Sequence, residues 1–148
     1  MKIYVASSWR NEDQPAVVGE LRAAGLEVYD FKNPEEGDHG FHWRDVELSD
    51  EERVVCRLSR LRTVLTHPRA VKGFASDFGA MRWADACVLL LPRGRSAHLE
   101  AGWLAGAGKP VVVYAPVDGV VEPELMYGLL GPLCSSFAEV LRALRSHK

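Results

Sequence analysis

Residues 86–91 read Ala-Cys-Val-Leu-Leu-Leu, six apolar side chains in succession, with Pro92 directly after them. A strand sends alternate side chains to opposite faces, so a run without a polar member needs cover on both sides. The centre of a parallel sheet with helices on each face meets that need. This one stretch makes a barrel with a wet side or a helical bundle poor solutions, and the remaining segments are read against it.

"KIYVA" (2–6) is a short β-branched and aromatic run that ends in Ser7 and Ser8. A helical pattern opens near Asp13, with Pro15 in its first turn, Val17, Val18, Leu21 and Ala24 at helical spacing, and Gly25 as a stop. "LEVYDF" (26–31) is the second strand, which makes a β-α-β unit. Residues 32–48 are polar, glycine-containing and aromatic without steady period, and read as a long binding or lid loop. Ser49 and Glu52 have capping-box spacing and open a helix over 50–62. A further helix begins at Thr66 and Pro68 and runs to Ala84, with Val71, Phe74, Phe78 and Met81 as its expected apolar stripe. After the central strand, Ser96 is expected to cap a helix over 97–106. "PVVVYA" (110–115) is a fourth strand, "EPELMYGLL" a short helix, and "PLCSS" holds a fifth strand. Ser136 and Glu139 box the last helix. Strands alternating with helices predict a doubly wound, flavodoxin-like (Rossmann-like) α/β fold, a five-stranded parallel sheet with helices on both faces. No linker or repeat interrupts it, so residues 1–148 are expected to form a single domain.

Composition narrows the function classes. A net charge of −2 offers no field for a nucleic acid polymer or an anionic membrane. The arginines at 53, 57, 60 and 62 follow acidic residues and read as a solvated helix face. Three cysteines, widely spaced and odd in number, read as reduced thiols of a cytoplasmic protein. No apolar run reaches membrane-spanning length, and the start lacks the apolar region of a signal peptide.

In open parallel sheets ligands bind beyond the carboxyl ends of the strands. Three segments converge there: Ser7, Ser8, Trp9 and Arg10 after the first strand, residues 93–100 after the third, and residues from Ala115 after the fourth. Glu100 lies in the second of these, on a helix whose other members are mostly apolar. Placed near the helix N-terminus beside an apolar wall, it suits a carboxylate nucleophile; a first-turn acid turned to solvent is the other reading. Asp77 borders the apolar stripe of its helix, as a proton donor of raised pKa or as a solvent-facing acid. Asp85 reads as an anchor of the turn before the central strand. Asp38, His39, His42, Asp45 and Glu47 contain metal-ligating types, but no third ligand has convincing spacing, so no metal is expected.

Taken together, "KIYVASSWR", "SDFGAMRWADACVLLLP" and "RSAHLEAGWLAGAGKPVVVY" resemble the nucleoside 2-deoxyribosyltransferase family, which includes the 2'-deoxynucleoside 5'-phosphate N-hydrolases. The resemblance runs in order over roughly residues 2–130, and its most specific part is Asp77, then Asp85, an apolar strand and Glu-x-Gly in a small-residue helix. It implies Glu100 as the nucleophile at the sugar's anomeric carbon, Asp77 as the acid that assists the leaving base, and Tyr4 as the residue orienting Glu100. It further implies Ser8 and Arg10 as contacts of a 5'-phosphate and Met126 as part of a late substrate-contacting loop shared between subunits, hence a homo-oligomer. This chain departs from the family pattern at four places. Ser96 and His98 stand where glycines are frequent, Gly94 where transferases carry a base-binding Asp, and Glu124 where Asn or Ser lies near the substrate's 5' end.

The expectation is therefore cleavage of the N-glycosidic bond of a small-molecule (deoxy)nucleoside or nucleotide, without a cofactor. The missing Asp at Gly94 favours hydrolysis over base transfer. Glu124 is expected to pair with Arg10 or His98 and to disfavour phosphate. A nucleotide- or nucleotide-sugar-binding sensor without turnover and a glycohydrolase of NAD-type dinucleotides are the alternatives.

Overall fold

The computed structural model describes residues 1–92, 94–116 and 121–146. They form two compact units: Met1–Asp30 together with the chain from Trp83 onward, and Phe31–Arg82.

The first unit holds one parallel sheet of five strands in the order β2-β1-β3-β4-β5. Its strands are β1 (Lys2–Ala6), β2 (Glu27–Tyr29), β3 (Ala86–Leu90), β4 (Val111–Tyr114) and β5 (Leu133–Cys134). The apolar run does occupy the centre, and every residue of β3 is buried. Its register pairs Tyr4 with Cys87 on one side and Cys87 with Val111 on the other. One face carries Ile3, Val5, Val88, Leu90, Val112 and Tyr114, packed with Val17 and Leu21 of α1 (Gln14–Ala23) and Val140 and Leu144 of α6 (Phe137–Arg145). The alternate strand residues face α5 (Arg95–Gly106), whose Ala97, Ala101 and Leu104 are fully buried. The sheet is thus covered by helices on both faces, the doubly wound arrangement expected.

Local chemistry accounts for most boundaries. Gly25 takes φ +82° just past α1, a conformation glycine adopts without strain. Ser136 and Glu139 exchange the two capping-box hydrogen bonds at α6, each at 3.3 Å. Asp85 accepts from the Lys2 amide at 2.8 Å and so anchors the entry of β3 to β1. One expectation fails here: helix α5 starts at Arg95 with Gly94 as its N-cap, so Ser96 lies inside the first turn instead of capping it. The short helix expected in "EPELMYGLL" is present as a 3₁₀ segment, Leu125–Leu129. Gln14, the first residue of α1, donates to Asp30 at 2.8 Å, and both are buried where β2 ends.

Gly131 gives a direct test of this packing. Its amide donates to the Val111 carbonyl at 2.7 Å, and a Cβ at this position would lie 2.5 Å from the same oxygen. Gly131→Ala must push the turn off β4 and should cost about 2 kcal/mol. Gly79→Ala, where an added Cβ meets nothing within 4 Å, should be neutral or stabilising by up to about 1 kcal/mol. Urea midpoints at unchanged slope check both.

The second unit contains the 3₁₀ segment Trp43–Val46, then α2 (Asp50–Val54), α3 (Leu58–Leu65) and α4 (Pro68–Trp83) up to Arg82. The helix expected over 50–62 is split, with Val55 extended at φ −152°. Val54 and Val55 are β-branched and open to solvent, so no burial offsets their poor helix propensity. A small core joins Val46, Leu48, Val64 and Ala70 with Phe41 and Leu61 at its edge.

Helix α4 buries only part of the stripe its large apolar residues mark: Met81 is buried with Ala70 and Ala80 and Phe78 is half-buried, whereas Val71 is open and Phe74 is 69% exposed. At Gly73 the approach is close, since a Cβ there would come within 2.6 Å of the Phe41 Cβ. No helix among the described residues is long and apolar enough to cross a membrane.

Candidate functional site

In the first unit, the carboxyl ends of β1 and β3 lead into two turns that lie side by side. After β1, the Ser8 hydroxyl accepts from the Arg10 amide at 3.2 Å, and the Ser7 hydroxyl lies 3.5 Å from the Leu90 carbonyl. Trp9 and Arg10 are exposed, and the Arg10 guanidinium has no ion-pair partner among the described residues. After β3 the chain passes a cis Leu91–Pro92 peptide to Gly94. A Cβ on Gly94 would sit 3.9 Å from the Ser8 hydroxyl, which brings the β1 turn to the first turn of α5. The backbone N–H groups that begin α5 receive no side-chain cap from Gly94.

Glu100 stands three residues after Ala97 and four before Leu104, on the flank of the packed face of α5. It is half-buried. Burial pushes the Cys87 thiol well above its usual range, and the charge of Glu100 adds to the rise. Tyr4, the register partner of Cys87, is 1% exposed and stacks on Tyr29 at 5.7 Å between ring centroids. A row of Tyr29, Tyr4 and Cys87 therefore crosses the α5 face of the sheet.

His98, one turn from the start of α5, meets Tyr127 of the 3₁₀ segment Leu125–Leu129: Nε2 and the phenol oxygen are 3.2 Å apart. The expected ion pair of Glu124 with Arg10 or His98 is replaced by a local bond. Glu124 is the N-cap of that 3₁₀ segment and accepts from the Met126 amide at 2.9 Å. An N-cap carboxylate satisfies an N–H that the turn leaves without a partner, and this competes with a distant guanidinium. Ser96 and Met126 are exposed. Removing the phenol hydroxyl in Tyr127→Phe should cost about 1 kcal/mol of stability, and the cost should vanish in a His98→Ala background.

In the second unit, Asp77 is half-buried on α4, four residues from Gly73 and Met81 and three from Ala80. It thus lies beside the buried Ala80 and Met81. The acids of the metal-type set are engaged elsewhere. Asp38 pairs with Lys72 at 2.8 Å, and that bond holds its carboxyl below the usual range. Asp45 pairs with Arg69 at 3.2 Å; burial raises its pKa, but the His42 amide and Arg69 outweigh this and hold it low. Among the described residues no cluster of three or more His, Cys, Asp or Glu is placed to hold a metal ion.

Sequence reasoning passed over Tyr127, Tyr29 and Asn11. Only Asn11 carried a signal, an Asx side chain two residues before the N-cap of a helix. Tyr127 and Tyr29 become visible only once the strands and the late turn are placed.

No family model matches the sequence, and no curated protein does. Solved structures do. A 2-deoxyribosyltransferase from the psychrotolerant bacterium Bacillus psychrosaccharolyticus aligns over 95% of this chain and 90% of its own, at 22% identity and a TM-score of 0.56. The CMP N-glycosidase BcmB of Clostridium botulinum aligns over 98% of this chain and 99% of its own, at 14% identity and a TM-score of 0.50. This chain thus shares the fold on which a deoxyribosyltransferase and a nucleotide N-glycosidase are built.

Proposed function

We propose that this chain is an N-glycosidase that cleaves the bond between base and sugar in a (deoxy)nucleoside or nucleotide, with hydrolysis favoured over base transfer. The observation that carries the reading is Glu100, half-buried on α5, the helix that follows the carboxyl end of β3 and packs on the face of the sheet that holds Tyr4 and Cys87. The fold likeness supports it, since both solved relatives are named for chemistry at a nucleoside's glycosidic bond.

In this reading the Glu100 carboxylate attacks the anomeric carbon as the carbon–nitrogen bond breaks, and that bond's electron pair leaves with the base. Asp77 gives the base its proton; this assignment rests on the order of the sequence motifs. Water then attacks the anomeric carbon, Glu100 departs, and Asp77 takes up the proton. Tyr4 orients Glu100. Ser7, Ser8, Trp9 and Arg10 take the 5' end, together with Gly94 and Ser96 at the opening of α5. His98, Glu124 and Met126 form the opposite wall. Acid, nucleophile and water complete the reaction, so no metal or organic cofactor is invoked.

The ligand is a small molecule, not a polymer or a membrane. The whole chain works as one deoxyribosyltransferase-like domain, and the three unpaired cysteines fit a cytoplasmic setting. Incubation with a panel of nucleosides, their 5'-monophosphates and NAD, followed for free base, tests the reading. Release from a nucleoside or monophosphate supports it. Release from NAD alone moves it to a dinucleotide glycohydrolase, and binding without release replaces it with a sensor.

A further inference from the structure

Asn11 is 2% exposed, and each of its polar groups is committed. Its amide donates to the Ser8 carbonyl at 3.0 Å, which closes the turn that presents Ser8 and Arg10. Its Oδ1 accepts from the Asp13 amide at 2.9 Å and so fixes the entry into α1. Its Nδ2 crosses to the other turn and donates to the Pro92 carbonyl at 2.8 Å, two residues before the N-cap of α5. One buried carboxamide therefore ties the turn after β1 to the turn after β3. A second tie between them, from Ser7 to Leu90, is long at 3.5 Å.

We infer that Asn11 is a positioning residue, which sets the distance between the Ser8 and Arg10 turn and the helix that carries Glu100. The inference rests on the proposed glycosidase reading. If Ser8 and Arg10 hold the 5' end of the substrate, Asn11 decides where the anomeric carbon falls relative to the Glu100 carboxylate. A shift of about 1 Å between binding turn and nucleophile is enough to cost a large factor in rate. Substitution of Asn11 therefore acts through the 5' end and leaves a substrate without that end nearly untouched.

Asn11→Ser separates the ties. A serine hydroxyl still accepts from the Asp13 amide and keeps the entry to α1, but is too short to reach Pro92. Asn11→Asp keeps the same acceptor and faces the Pro92 carbonyl with an oxygen. The test compares kcat/KM on a nucleoside and on its 5'-deoxy analogue, with unfolding midpoints measured alongside. In the wild type the 5'-hydroxyl substrate is preferred. In both variants that preference falls by about tenfold or more, while the rate on the 5'-deoxy substrate stays within about threefold. Equal loss on both substrates, a retained preference, or no preference in the wild type overturns the inference.

A second readout needs no turnover. Amide hydrogen exchange in Asn11→Ser accelerates together at residues 8–11 and at residues 94–97 if the carboxamide ties the two turns. Acceleration confined to residues 8–13 overturns the tie. Should the wild type release no base from any substrate, the glycosidase reading falls, and this exchange pattern alone decides whether Asn11 couples the turns.

Discussion

Glu100→Gln abolishes base release, lowering it by at least about 10³-fold, while ligand binding stays within about tenfold. Glutamine keeps the shape and the hydrogen-bonding reach of the side chain and removes the negative charge that attacks the sugar. The size of the loss follows from where the carboxylate stands. Half-buried on the flank of the packed face of α5, it is partly withdrawn from solvent screening. It stands in the second turn of that helix, beyond the first turn in which the helix dipole acts, so a Glu100 turned to bulk water would contribute little and its amide variant would turn over normally. Turnover in Glu100→Gln within about threefold of wild type would therefore remove Glu100 from the mechanism. Asp77→Asn offers a contrast. A lost acid slows substrates with poor leaving groups more than those with good ones, so its effect should shrink as the base becomes easier to expel.

How far the fold could be read from the sequence depended on which physical signal each segment carried. The run at 86–91 left one solution because burial on both faces is a property of composition alone, and β3 sits at the sheet's centre with all its residues buried. The capping boxes at Ser49 and Ser136 were legible because a box is a local pattern of two side chains. Helix α4 was not legible in the same way. Periodicity marked Val71, Phe74, Phe78 and Met81, of which Met81 is buried and Phe78 half-buried while Val71 and Phe74 stay open, and the close approach of Gly73 to Phe41 carried no such signal. A hydrophobic stripe says that a face wants cover and does not say whether this chain supplies it. The site shows the same limit. Glu100 and the serines after β1 are visible from their place at strand ends, and so is a short helix in "EPELMYGLL", but nothing in the pattern marks Glu124 as its N-cap, which binds the Met126 amide in place of a distant cation.

Sedimentation of the wild type at micromolar concentration should show at least a dimer, and Leu125→Glu should convert it to monomer. The first unit leaves Leu99 75% exposed and Leu125 91% exposed, with Met126 and Leu129 also open. Leu99 adjoins His98 and Leu125 lies two residues from Tyr127, and His98 and Tyr127 are hydrogen-bonded. Exposed leucines of this kind are what a specific interface covers at its core. A second copy is the occupant that fits: a two-fold contact sets one surface against its own copy, and a net charge of −2 opposes this little. A micromolar dimer needs about 8 kcal/mol, so one buried carboxylate at Leu125 is enough to undo it. Phe74→Glu on the open side of α4 is the control, because that face is also apolar but lies in the other unit. Dissociation by Phe74→Glu with Leu125→Glu still dimeric would move the contact to α4. A wild type that is monomeric at these concentrations and still fully active would refute the shared assembly altogether.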